Sequence, residues 1–232
     1  MKSNLRHTGK IALCSIMACF MLSVSAQIFQ PNTNWPYLYS DFEEGTIFFS
    51  SNKQTKAKLN IHLSGNVLHY VDDAGKIYVS SDADIIRVEI GKDAYLFGDH
   101  QLMQIIGTEK NTVLVKLVRG KIRYKDDADA GGGAYGASLG TSATQQRATW
   151  GGGATTRDLF QMYQGKNDGS AISLEKKYYY IIDGVLIAAD KKSVEKRISD
   201  EQKVEWAKFL KTQKINWKKE ESLAQVLDFI AK

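Results

Sequence analysis

Two histidines have the spacing closest to usable chemistry. His62 ends the alternating run Lys56-Ala57-Lys58-Leu59-Asn60-Ile61-His62-Leu63, and His69 lies in the run Asn66-Val67-Leu68-His69-Tyr70-Val71. Alternation with period two marks a strand with one face buried and one face wet. If Gly65-Asn66 is a two-residue type II′ turn, Leu63 faces Leu68, His62 faces His69 and Ile61 faces Tyr70. Facing histidines on the wet side could share a cation, or repel once protonated. A metal needs a third ligand, and His100 and Asp73 are the candidates. Two solvated histidines are the plainer reading, so no metal, cofactor or catalytic residue is expected.

Three further motifs invite chemistry and fail on context. Gly136-Ala137-Ser138-Leu139-Gly140 matches a nucleophile elbow, which needs a strand before the serine, a helix after it and a later histidine. Every histidine precedes Ser138, and its flanks are glycine-rich. Gly131-Gly132-Gly133-Ala134-Tyr135-Gly136 matches a dinucleotide fingerprint, yet no helix is expected to open there for a phosphate. Asp126-Asp127-Ala128-Asp129 could attract calcium, but the closing glutamate of an EF-hand loop is missing.

The elements around these motifs are short strands. Expected strands include Thr46-Ile47-Phe48-Phe49, the histidine hairpin, Lys76-Ile77-Tyr78-Val79, Ile86-Arg87-Val88-Glu89-Ile90, Ala94-Tyr95-Leu96-Phe97 and Leu102-Met103-Gln104-Ile105-Ile106. A last pair, 112–118 with 121–124, would turn at Arg119-Gly120 and place Val115, Leu117, Ile122 and Tyr124 on one face. No helical pattern separates them, which excludes a parallel α/β sheet. An antiparallel β-sandwich or barrel-like domain over 27–125 is expected. Its first residues, with Phe29, Trp35, Tyr37, Tyr39 and Phe42 beside Pro31 and Pro36, read as an extended arm. The arm's aromatics either cover an edge of the sheet or form a ligand platform.

Residues 126–157 carry too few large apolar side chains to offset the entropy of ordering them, and read as a flexible linker. A small α+β unit follows at 158–232. Asp183-Gly184 suits a type I′ turn, pairing Ile182 with Val185 and Tyr180 with Ile187. Both faces of that hairpin are apolar, and two helices are expected to cover them. Ser199 or Asp200 would cap the first, with Val204, Ala207, Phe209 and Leu210 inward. Leu223, Val226, Leu227 and Ile230 form the stripe of the second. The whole is thus an α+β chain.

The chain has 232 residues and a net charge of +5. Residues 1–26 read as a secretory signal peptide: Lys2, Arg6 and Lys10, an apolar run from Ile11 to Val24, and small residues before cleavage after Ala26. A membrane anchor would need an apolar run of ~20 residues. A lipoprotein would need Cys19 as the lipidated residue. Cleavage removes three basic and no acidic residues, so net charge falls to +2 and no nucleic acid is expected as partner. Both cysteines, Cys14 and Cys19, leave with the leader.

The order of these pieces resembles a group of small secreted proteins common in Bacteroidetes-type bacteria. The echoes are Trp35-Pro36-Tyr37-Leu38-Tyr39 with Gly45, Leu59-Asn60-Ile61-His62-Leu63, Gly75-Lys76-Ile77 and Gly133-Ala134-Tyr135-Gly136. The tyrosine-rich hairpin and the run from Lys214 through Asn216-Trp217 to Leu223 complete them. The resemblance implies an envelope location and a β domain with a helical C-terminus. It carries over no catalytic residue.

The functional expectation is a non-enzymatic protein, periplasmic or extracellular, that binds a partner protein or cell-envelope component. The mature chain has no transmembrane span in this reading. Residues 191–221, with ten basic and six acidic side chains, read as a solvated helical face, with peripheral membrane contact as the sharper option. The alternatives are a secreted hydrolase using carboxylate acid/base chemistry, and a structural or assembly factor. Two carboxylates ~5–10 Å apart in a deep pocket would mark the hydrolase; a shallow surface with exposed aromatics would mark the binder.

Overall fold

The computed structural model describes residues 29–80, 84–98, 101–121 and 157–231. Their strands are β1 (Glu43–Phe49), β2 (Gln54–His62), β3 (Val67–Val71), β4 (Lys76–Val79), β5 (Ile85–Ile90), β6 (Asp93–Gly98), β7 (Gln101–Glu109), β8 (Thr112–Lys121), β9 (Arg157–Asp158), β10 (Ser173–Ile182) and β11 (Val185–Ala188). The helices are α1 (Leu159–Gln164), α2 (Lys191–Glu195), α3 (Lys203–Thr212) and α4 (Glu220–Ile230). All eleven strands join one antiparallel sheet in the order β11-β10-β8-β7-β6-β5-β1-β2-β3-β4-β9. The protein is α+β, as its sequence implies.

Short turns set most neighbours in this sheet. Asp183 and Gly184 both have positive φ, 49° and 80°, the backbone a type I′ turn demands. Ile182 accordingly faces Val185 and Tyr180 faces Ile187, as expected. That hairpin is longer than its apolar core suggests, because β10 starts at Ser173 and pairs with β8 across ten positions. The C-terminal strands therefore continue the sheet begun at β1.

Two expected registers differ. In the histidine hairpin, Ile61 faces Leu68 and His62 faces Val67, a displacement of two residues from the expected pairing. The connection holds four residues, Leu63 to Asn66, and its left-handed residue is Asn66 at φ 54°. A two-residue displacement keeps every side chain on its expected face. Leu59, Ile61, Leu63 and Leu68 are accordingly buried. Second, there is no turn at Arg119-Gly120. β8 runs straight through to Lys121 and takes β7 as its partner across Lys110-Asn111. Residues 122–124 lie outside the described residues. Gly120 is small because Ile172 and Leu63 pack onto it: a Cβ there would come within 2.8 and 3.0 Å of their side chains.

The sheet curls until the β2–β3 connection touches β7 and β8. The Gly120 amide donates to the Leu63 carbonyl at 3.0 Å. The Asn66 amide donates to the Val118 carbonyl at 3.1 Å and accepts from the Leu102 amide at 2.5 Å. Ile47, Leu59, Ile61, Leu68, Val88, Ile90 and Leu102 fill the enclosed side. A second core lies where α3 and α4 cover β8 and β10, built on Leu114, Tyr180, Trp206, Leu223, Val226 and Leu227.

The α4 stripe falls as expected, with Phe229 added. The α3 face is rotated from expectation. Val204 is 64% exposed and Ala207 is exposed, while Trp206 is buried against Phe209 and Phe229. The indole offers far more apolar area than valine, so the helix turns to bury it. Gln202, rather than Ser199 or Asp200, occupies the N-cap.

Candidate functional site

His62 and His69 do meet, but inside the protein. They sit diagonally across the hairpin with ring centroids 5.2 Å apart and planes 24° from parallel. Exposures of 9% and 1% overturn the expectation of a wet face. The arm preceding β1 is the reason. Tyr37 lies edge-on to both rings, and its hydroxyl is 3.0 Å from Nδ1 of His69. Tyr37 also bridges His62 through the backbone. Asp73 stands exposed in the β3–β4 turn. His100, Ser138, the glycine runs and Asp126, Asp127 and Asp129 lie outside the described residues. Among the described residues no group of three or more His, Cys, Asp or Glu could hold a metal ion.

The arm's aromatics are interior as well. Trp35 and Tyr37 are fully buried with Phe42, Ile77 and Met162, so neither ring can offer a face to a ligand. Trp35 stacks on Tyr163 of α1 at 4.9 Å. The Lys166 ammonium lies 4.6 Å from the Trp35 ring centre and 5.1 Å from that of Tyr163. It also pairs with Asp41 at 3.1 Å. Burial works to raise the Asp41 carboxyl, but Lys166 and the Ser40 hydroxyl outweigh it and hold the group below its usual range. The Tyr39 hydroxyl donates to Asp93 at 2.8 Å and meets the Tyr95 hydroxyl. Burial first, then these neighbours, raise the Tyr39 phenol, which stays neutral.

An open concave surface lies elsewhere, at the step where β11 stops and β10 continues. It is a groove of about 480 Å³. Lys176, Lys177, Tyr178 and Tyr179 of β10 form one wall, and Ala188 to Asp190 mark the end of β11. Trp217 and Lys218, from the segment entering α4, close the other side. The length difference between the two strands makes the step, and the helices packed on Tyr180 bring Trp217 beside it.

Three ammonium groups dominate this groove. Its carboxylate, Asp190, accepts hydrogen bonds from the amide and hydroxyl of Ser193 at 2.9 and 2.8 Å, capping α2. Those bonds outweigh its partial desolvation and hold Asp190 below the usual carboxylate range. It is therefore a fixed anion serving a helix end, unsuited to giving up a proton at neutral pH. Burial, followed by the Glu220 carboxylate, pushes the Tyr178 phenol up to about 12. Its hydroxyl donates to Glu220 at 3.1 Å, and Lys116 pairs with the same oxygen. The groove is cationic, shallow and partly aromatic, with no second carboxylate among its lining residues.

Sequence alone put Lys218 in a solvated charged run and began the hairpin at Lys177, leaving Lys176 outside it. The packing of the helices on β10 brings them together. No helix among the described residues is long and apolar enough to cross a membrane. Comparisons with family models, with curated proteins and with solved structures found no match to this chain.

Proposed function

We propose that this protein is an exported, non-enzymatic component of the cell envelope that binds a partner protein or envelope constituent. The observation that carries the reading is the groove between β10 and Trp217-Lys218: open, lysine-rimmed and walled by half-buried aromatic rings. Such a surface suits recognition: its carboxylate, Asp190, is tied down as a helix cap, and its lysines and aromatic rings face outward for contact. The leader-like segment at 1–26 supports export.

The test is affinity capture from native envelope fractions, comparing the wild-type chain with a K176E/K218E variant. Binding reads as partners retained by the first and lost by the second at equal folded yield. Equal capture by both removes the groove from the function. Cell fractionation of a tagged full chain tests export, and a cytosolic product overturns it.

A further inference from the structure

From the same groove, and resting on that reading, we infer that the open edge of β10 takes up an extended acidic segment of a partner protein as an added strand. The edge follows from the register. The Ala189 amide donates to the Tyr178 carbonyl at 2.9 Å, so Tyr178 turns its backbone toward the β11 side. Backbone direction alternates along an antiparallel strand. Leu174 and Lys176 therefore point their N–H and C=O groups the same way, beyond the end of β11. Lys177 and Glu175 point theirs at β8, where they face Leu117 and Arg119.

Among the described residues, no other strand pairs with β10 beyond β11 at these positions. The open stretch from Ser173 to Lys177 is about 13 Å long at ~3.3 Å per residue, enough for a short strand. Leu174 is 37% exposed on it.

Charge selects the occupant. Among the described residues, neither Lys176 nor Lys218 has a carboxylate within ion-pairing distance, whereas Lys177 is already engaged by Glu175 at 3.7 Å. Lys176 shares the Tyr178 face of β10, and Lys218 lies across the groove from it. A strand seated between them would place every second side chain toward both ammonium groups. Main-chain hydrogen bonds would supply affinity, and acidic residues at alternate positions would supply selection. A second copy of this chain fits less well, because it would bring lysine against lysine.

The test uses the full chain, a short synthetic peptide alternating Glu and Val, its Lys-Val counterpart, and a Glu-Val version N-methylated at alternate amides. Fluorescence anisotropy gives affinity, and amide hydrogen exchange gives location. Expected are slowed exchange at Leu174 and Lys176 with the Glu-Val peptide, weak or no binding of the other two, and binding about three- to ten-fold weaker in K176E/K218E. Binding of the N-methylated peptide at equal strength, or Glu-Val binding without protection of those amides, overturns the added strand. Protection that grows with protein concentration in the absence of peptide overturns it in favour of self-pairing. If peptides fail while envelope capture still depends on Lys176 and Lys218, this inference falls and the broader binding function stands.

Discussion

The side-chain amide of Asn60 closes both backbone groups of Tyr39: its Oδ1 accepts from the Tyr39 amide at 3.1 Å, and its Nδ2 donates to the Tyr39 carbonyl at 3.0 Å. The same Nδ2 donates to the Asp41 carbonyl at 2.9 Å, and Oδ1 also accepts from Ile61. One fully buried residue of β2 thus fixes the arm that seals His62 and His69. Asn60→Ala removes the side-chain partner of the part-buried Tyr39 amide and Asp41 carbonyl, while the Tyr39 carbonyl keeps the Trp35 indole, and should destabilise the fold by about 2 kcal/mol. Asn60→Asp should cost more at neutral pH, since it buries a charge and loses the donor. Urea unfolding of both variants checks the order.

Asn66 performs the matching task at the other end of the hairpin, binding β7 and β8 from a left-handed backbone. Asn66→Gly keeps that backbone conformation available and removes only the two hydrogen bonds, for an expected loss of about 2 kcal/mol. Asn66→Ala adds the left-handed penalty, roughly 1 kcal/mol more. Equal losses in the two variants, measured by thermal or urea unfolding, would show that the backbone conformation contributes nothing.

Gly45 is a point of close approach in the β1–β5 pairing. A Cβ there would meet the Glu89 carbonyl at 2.4 Å and Leu59 Cδ1 at 2.6 Å. The first contact is with backbone and cannot be relieved by a rotamer change. Gly45→Ala should therefore destabilise by more than about 2 kcal/mol, with the sheet opened locally at β1. Hydrogen exchange of the Ile90 and Leu59 amides locates the effect.

Acid should weaken the seat of the arm. The Asp41 carboxyl lies below its usual range in the folded protein, so its stabilising contribution is present above the unfolded carboxylate range. That contribution is lost as pH falls through the lower folded value. The urea midpoint should drop on acidification, and both Asp41→Asn and Lys166→Met should flatten the acid limb. A limb unchanged in both variants would assign the acid sensitivity to other carboxylates, such as the helix cap Asp190.

Alkali acts in the opposite sense. The Tyr163 and Tyr178 phenols are each pushed up to about 12, by burial first and then by the Asp41 and Glu220 carboxylates respectively. Their contribution is complete below the ordinary phenol value and declines as pH rises toward 12. Near-UV titration should show late-ionising phenols, and Tyr178→Phe should remove one of them. Both rings are partly exposed, so the accompanying change in stability should be small.

What the sequence made legible was local. Asp183-Gly184 fixed its own hairpin because two adjacent positive-φ residues admit few alternatives. The α4 stripe was readable for the same reason: its period is internal to the helix. The histidine register was missed because the choice between a two-residue and a four-residue connection depends on Asn66 reaching Val118 and Leu102, contacts far along the chain. The face of His62 and His69 was misjudged because alternation reports polarity, and an arm from elsewhere buried the polar side. Gly120 read as a turn residue although its smallness serves Leu63 and Ile172. The groove was invisible to any local rule, since it exists only where β10 outruns β11 beside Trp217.

The long ladder between β8 and β10 also orders events in the making of the molecule. β8 ends at Lys121, but the strand that covers its flank begins at Ser173. A nascent chain therefore carries β8 as a bare, apolar border until the last quarter of the polypeptide emerges. Bare borders of this kind recruit other chains. Truncation ahead of Ser173 should yield clumped material rather than a smaller soluble body, and a holding chaperone would have its greatest value during that interval.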